Sequence, residues 1–239
     1  MSASAKPLGH KAYGSIGHLP NSRMGPADHH IEAGQAAICT VKTRDAHDLV
    51  IVTEKLDGSC VSAARIGNDV VALGRAGYLA ATSKYKQHHL WAQWVANERG
   101  RLLALLGDGE RLVGEWLAQA HGTRYQLPHE PFVAFDLMRG HERAPHGEFL
   151  RRVSGRFVTP RCLHIGGPYS VEEAKRALEF SGHGAQDPVE GAVWRVERHG
   201  AVDFLAKWVR QDKADGCFLP EISGQPEIWQ VPVSSEVTP

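Results

Sequence analysis

A continuous apolar run, Leu49-Val-Ile-Val-Thr53, is followed by mixed runs from Ser59 to Ile66 and from Asp69 to Gly74, with Gly67-Asn68 between the last two. Runs of this length, bounded by turn residues, predict a strand and then a β-hairpin. The period changes between Ser83 and Leu106. Leu90, Trp91, Trp94, Val95, Leu102, Leu103, Leu105 and Leu106 recur mostly at three-to-four spacing, which predicts a helix broken near Gly100. Short strands are predicted from Arg111 to Leu117 and from Phe132 to Leu137, and a short helix or turn from Phe149 to Thr159 leads toward another strand. Ser170-Val-Glu-Glu173 carries the residues of a capping box, so a helix is expected to open there and run to about Phe180. Val189 to Arg198 and Val202 to Arg210 flank His199-Gly200 and predict a second hairpin.

The ends of the chain lack periodicity. Residues Lys6 to Ala36 are rich in Gly, Pro, His and Asn and read as an irregular arm; Pro220 to Pro239 reads as a surface strand or tail. Neither repeats nor a linker divide the remainder. Hairpins alternating with helices predict an α+β, mixed α/β architecture of antiparallel sheets flanked by helices, with an arm at 1–36, one domain at 37–219 and a tail at 220–239.

Composition narrows the picture. The chain has 239 residues, 42% of them hydrophobic, enough for a sizeable core. Lys+Arg and Asp+Glu are both 27, so a polyanion would have to be met by a local patch and not by a global basic field. Cys39, Cys60, Cys162 and Cys217 are scattered without a CxxC pair, and Met1 to Pro7 lacks the apolar core of a signal peptide. Reduced thiols, no structural zinc, no membrane span and a cytoplasmic location are expected. The fourteen histidines include the adjacent pairs His29-His30 and His88-His89, which is not the spacing of a zinc helix.

Candidate chemistry gathers around Glu54-Lys55-Leu-Asp57-Gly58, where a lysine ends a strand. A strand-end lysine is held by the sheet, and neighbouring cations can lower its pKa, as an attacking amine needs at neutral pH. Asp57 is suited to a metal or a ribose hydroxyl, and Gly58 lets the backbone pass close to a phosphate. Arg75, between glycines at a strand end, can reach a phosphate or ribose without crowding, although an exposed turn arginine is the commoner explanation. Glu115 and Asp136 lie within apolar strands, where an acid is costly to bury unless it is paired or liganded. In the arm, His18, Arg23 and His29 belong to a lid over the core, the favoured reading, or help hold a polyphosphate or a nucleic-acid strand.

In order, the chain offers Glu54-Lys55-Leu-Asp57-Gly58, Gly74-Arg75, Gly114-Glu115, Phe132-Val-Ala-Phe135-Asp136, Glu190-Gly191-Ala-Val193 and Ala206-Lys207-Trp. This succession resembles the covalent nucleotidyltransferase superfamily of ATP-dependent ligases and capping enzymes. Within it, the chain is most similar to RNA ligases related to the double-strand-sealing phage enzymes and the RNA-editing ligases. The resemblance spans roughly Leu49 to Lys213. It implies an adenylation domain with the nucleotide in the groove between its sheets, and Lys55 as the lysine that attacks the α-phosphate of ATP and holds AMP as a phosphoramidate. AMP would then pass to a 5′-phosphate end, and a 3′-hydroxyl would displace it. The resemblance implies further that Glu54 reads the adenine edge, Arg75 contacts ribose or the reacting phosphate and 3′ end, and Glu115 binds the ribose hydroxyl. Phe135 would stack on adenine, with Phe132 as the fallback. Glu190 would bind Mg²⁺, with Mn²⁺ as an alternative, and Lys207 would contact the α-phosphate. RNA ends, ahead of DNA ends, are the implied substrate.

Two departures from the family pattern bear on function. Its fifth motif usually shows two lysines one residue apart, whereas this chain reads Leu205-Ala-Lys207-Trp-Val-Arg210-Gln-Asp-Lys213, so one cation is missing or has moved to Arg210 or Lys213. No OB-fold fits in the residues that follow. The alternatives are a small DNA ligase, a capping-type guanylyltransferase, and a non-catalytic module that senses nucleotides or binds nucleic-acid ends.

Overall fold

A computed structural model describes residues 6–232. In chain order the elements are β1 (Gly17–His18), α1 (Ala33–Thr40), β2 (Asp48–Lys55), β3 (Ser59–Ile66), β4 (Asp69–Gly74), α2 (Lys86–Asn97), α3 (Arg99–Leu105) and β5 (Glu110–Trp116). They continue with β6 (Phe132–Arg139), β7 (Glu142–Arg143), α4 (His146–Val153), β8 (Cys162–Gly166), α5 (Val171–Ala177), β9 (Gly191–Arg198), β10 (Ala201–Val209) and α6 (Pro220–Ser223). Two five-stranded sheets result, one in the order β1-β10-β9-β2-β8 and the other β4-β3-β5-β6-β7. The expected mixed α/β architecture is present. Its pairings are antiparallel except at one edge, where β1 runs parallel to β10.

Strand alternation decides what each sheet shows to the other. In β2, Val50 and Val52 are buried toward α1 and α5 with Ala36, Cys39, Ala174 and Leu178, while Ile51, Thr53 and Lys55 line a cavity between the sheets. The second sheet does the same. Val61, Ala63, Leu112, Phe132 and Ala134 pack against Trp91 and Val95 of α2, Leu102 of α3 and Phe149 of α4, leaving Cys60 and Glu115 on the cavity side. The order is therefore helix, sheet, cavity, sheet, helix. Trp91 lies 4.8 Å from Phe132 between ring centroids and is fully buried, so it belongs to the core and cannot stack on a base. A fully buried apolar side chain of such size contributes on the order of 2 kcal/mol.

Local signals placed most boundaries. Ser170 Oγ accepts from the Glu173 N–H at 3.2 Å and Glu173 accepts from the Ser170 N–H at 2.8 Å, the reciprocal box that opens α5. The helix closes at Leu178, short of Phe180. The Trp-rich helix breaks at Glu98, near Gly100 as expected, and Gly100 itself lies inside α3.

Both chain ends are integrated more closely than the sequence indicates. Gly17 and His18 pair with Ala206 and Lys207, so the arm supplies an edge strand. The segment from Pro220, expected as a surface strand or tail, runs back across the molecule: Trp229 bridges to Gln119, Gln230 donates to the Leu117 carbonyl at 2.6 Å, and its side-chain oxygen accepts from the Tyr125 N–H. Residues 1–5 of the expected arm and 233–239 of the expected tail lie outside the described residues. Among the described residues, no helix is long and apolar enough to cross a membrane.

Candidate active site

Between Lys55 and Ser59 the chain leaves one sheet and enters the other. Leu56-Asp57-Gly58 makes that crossing, and Gly58 is required there because a Cβ would stand 2.5 Å from the Trp116 carbonyl oxygen. Lys55 therefore stands at the junction of the sheets, on the floor of a cavity of about 1190 Å³. On the neighbouring strand Lys55 is in register with Gly191, which sets Glu190 beside it. The Lys55 ammonium donates to Glu190 Oε2 at 2.7 Å.

The cavity brings together most of the residues singled out in the sequence. Lys55, Asp57, Gly58, Arg75, Glu115, Phe135, Glu190 and Lys207 all line it. Glu115 accepts from the Gly58 N–H at 3.1 Å, tying the second sheet to the turn after Lys55. Asp57 is fixed on several sides: its N–H donates to the Tyr125 hydroxyl at 3.1 Å, and its Oδ2 accepts from the Gly122 N–H at 2.8 Å and from the Lys213 ammonium. Phe135 sits edge-on to Tyr13 of the arm, 5.3 Å between centroids, with one side toward the cavity. Phe132, the fallback for stacking, is in the core and unavailable.

Charge around the lysine runs opposite to the sequence expectation. Burial pushes the Lys55 ammonium toward neutrality, but Glu190, Glu115 and Asp57 outweigh it and raise its pKa, so the free site holds the lysine charged. Burial raises the Glu115 carboxyl to about 7 despite Lys55, with Glu190 and Asp57 adding to the rise. Burial likewise raises Glu190, with Lys55 opposing. Lys207 is the cation nearest to this group on β10. Burial and Lys55 lower its pKa, while Asp28 of the arm, 3.4 Å away, opposes the fall.

Three placements differ from the sequence reading. Glu54 lines the cavity beside Lys55, but its carboxylate is already taken, accepting from Ser181 Oγ and the Gly182 N–H, both at 2.8 Å. Arg210 turns to Asp212 at 2.6 Å and is not part of the cavity wall. Lys213 is buried against Asp57 and Thr123 and lies behind the wall. The place two residues before Lys207 on the same face is taken by Leu205, which lines the cavity.

Asp136 answers its burial internally. It accepts from the Tyr13 hydroxyl at 2.8 Å, from Arg143 at 3.1 Å and from Arg195, closing a buried network beside the cavity. Of the arm residues, His18 is buried 2.7 Å from Ser22 Oγ and 3.2 Å from Asp28, Arg23 pairs with Asp215, and His29 is exposed. Asp28, Tyr13 and Arg195 were not singled out as site residues. Only Arg195 had a readable signal, since period-two alternation from Gly191 through Val193 puts it on the cavity face. The partners of Asp28 and Tyr13 are set by tertiary packing alone.

These features can be set beside known proteins. No curated protein matches the chain. Among solved structures, Naegleria gruberi RNA ligase with PPi is 17% identical with a TM-score of 0.53, over 94% of this chain and 64% of that one. A variant of the same ligase with AMP and Mn is 15% identical with a TM-score of 0.52, over 84% and 62% respectively. An apo variant is 18% identical with a TM-score of 0.52, over 70% of this chain and 50% of that one, so this chain spans about half the length of such a relative. At these identities the likeness is one of fold. The RNA ligase family model matches residues 48–209, from the start of β2 to the end of β10 and more than half of the chain. The chain belongs to the RNA ligase family.

Proposed function

We propose that this protein is an ATP-dependent ligase of RNA ends that works through a covalent Lys55–AMP. The observation that carries the reading is the position of Lys55: an amine at the junction of two sheets, in a nucleotide-sized cavity, 2.7 Å from Glu190 and faced by Glu115 and Lys207. The family match and the ligase structures of like fold support it.

The first step asks Lys55 Nζ to lose a proton, attack the α-phosphorus of ATP and expel pyrophosphate. Glu190, with its carboxyl already raised, is the acceptor closest to that proton. Lys207 and Arg75 are placed to meet phosphate charge, and Phe135 offers a ring to the base. The Glu54 carboxylate reads an adenine edge only if it leaves Ser181 and Gly182. Glu115 is left for a ribose hydroxyl, to which a carboxyl is a good partner in either protonation state.

A divalent ion fits this donor set in a limited way. Among the described residues, no three His, Cys, Asp or Glu side chains form a metal-holding group. Glu190 and Asp57 would hold Mg²⁺ or Mn²⁺ with the remaining ligands drawn from phosphate and water, the usual arrangement for such an ion. When bound, the ion would neutralise the carboxylates that keep Lys55 protonated and the phosphates it approaches.

A binding-only reading draws on one observation: of Lys207, Arg210 and Lys213, only Lys207 lines the cavity, so the second cation of the fifth motif is not brought to it. One experiment separates the two. The protein is incubated with α-phosphate-labelled ATP and a divalent ion, then denatured. Label retained on the polypeptide and lost in Lys55→Ala supports covalent chemistry; equal label in that variant removes Lys55 from its role. Absence of label on folded protein free of bound AMP favours the binding module. Nicked RNA and nicked DNA compared as sealing substrates decide between the two polynucleotides.

A further inference from the structure

Charge is unevenly distributed along this net-neutral chain. Residues 6–27 contain Lys6, Lys11 and Arg23 and no acid; residues 70–97 contain Arg75, Lys84 and Lys86 and no acid. The fold lays these two segments against each other. The Tyr13 N–H donates to the Arg75 carbonyl at 3.2 Å, and Gly77 turns at φ 89° beneath the His10 carbonyl, where a side chain would collide. Arg23 and Lys86 are paired with Asp215 and Glu227. Lys6, Lys11, Arg75 and Lys84 make no ion pair among the described residues.

Aromatic rings stand among these cations. Tyr78 is 46% exposed and Tyr85 is 40% exposed, large values for rings with no apolar cover. Lys6 lies 5.0 Å over the Tyr78 ring and Lys84 lies 5.0 Å over the Tyr85 ring. The patch adjoins the cavity, since Arg75, Tyr78 and His88 are among its lining residues and the Tyr85 and His88 ring centroids are 5.7 Å apart.

We infer that this face binds an unpaired stretch of the polynucleotide whose end enters the cavity, with bases on Tyr78 and Tyr85 and phosphates beside Lys6 and Lys84. The inference rests on the function proposed above and adds the path and the strandedness of its substrate. Cations interleaved with exposed rings are the arrangement that holds single strands, because every unpaired base offers a face for stacking. A duplex hides those faces and would use only the lysines. A base arriving on Tyr78 displaces the Lys6 ammonium from the ring and leaves it next to the adjoining phosphate.

The test uses the full chain, the double variant Tyr78→Ala/Tyr85→Ala and, separately, Lys84→Glu. Capture of label from ATP without nucleic acid reports fold and adenylylation for Lys84→Glu, which lies outside the cavity wall, and is expected to stay within about twofold of the parent. Urea unfolding reports the fold of the tyrosine variant, since Tyr78 lines the cavity. Anisotropy of a labelled single-stranded RNA oligomer is then read over a salt series, with an RNA duplex in parallel. The tyrosine pair should weaken single-strand binding roughly tenfold or more and spare the duplex. Lys84→Glu should weaken it and make the salt dependence shallower by about 0.7 per lost phosphate contact. Unchanged single-strand binding in both variants overturns the inference, as does an equal loss for duplex and single strand in the tyrosine variant. Failure of the parent to take label from ATP would count against the proposed reaction and leave the binding readout intact, so the two failures are distinguishable.

Discussion

Lys55 is faced by more negative charge than it can balance, with Glu190 at 2.7 Å and Glu115 and Asp57 adding to the field. In the proposed reaction its raised pKa makes proton loss part of the cost of attack from the free site. Adenylylation is therefore expected to accelerate with pH through neutrality and beyond, and Glu115→Gln should move that rise to lower pH; identical rate profiles for parent and variant would remove Glu115 from the field around the amine. The same residue carries a stability signature. Burial holds the Glu115 carboxyl at about 7, against an ordinary 4.5, so the folded protein keeps a proton that the unfolded chain releases in between. Stability should fall as pH rises across that window, because the native state binds more protons there. Urea unfolding from pH 4.5 to 7 should show a flatter profile for Glu115→Gln than for the parent.

At the scale of elements, the short β1 does more than extend a sheet. It sets His18 opposite Lys207 in register, and the loop that follows brings Asp28 to 3.4 Å from the Lys207 ammonium, with the Gly25 N–H holding the carboxylate at 2.9 Å. Asp28 thereby helps keep Lys207 charged next to a second lysine. Asp28→Asn is expected to raise the KM for ATP in adenylylation about fivefold, the worth of about 1 kcal/mol for a part-exposed pair. Asp28→Glu should recover most of that loss, and a variant indistinguishable from the parent would reduce the arm to a cover. The cap of α5 gives a separate check: Ser170→Ala should lower the unfolding free energy by about 1 kcal/mol in urea, leaving label capture unchanged.

For the whole molecule, the decisive feature is the return of the chain after β10. Lys213, buried to 3% side-chain exposure, reaches Asp57 and Thr123 and fastens that return to the turn that follows Lys55. Removing one partner of a buried pair strands the other, at a cost of about 3 kcal/mol. Lys213→Ala should therefore be destabilised by about that amount in urea unfolding and should lose adenylylation with it, whereas Arg210→Ala, whose side chain faces Asp212, should do neither. Equal effects from the two substitutions would contradict this division of roles.

The sequence by itself determined the elements whose cause is local. Gly67-Asn68 fixes a hairpin, Ser170 and Glu173 fix a helix start, and the three-to-four spacing of Leu90, Trp91, Trp94 and Val95 fixes a helix, since turn geometry, capping and burial periodicity act within a few residues. The ordered motifs also named the residues that meet in the cavity, because strand ends and turns put them there once the sheets form. Tertiary structure alone decided the rest. The Glu54 carboxylate, at the cavity wall, is taken up by Ser181 and Gly182 from a loop 127 and 128 residues further on. Lys213 became the partner of Asp57, and Asp28 the partner of Lys207, across sequence separations of 156 and 179 residues. The Lys55 pKa rises because three carboxylates from separate segments converge on it, and a field summed in space has no trace in the order of the chain.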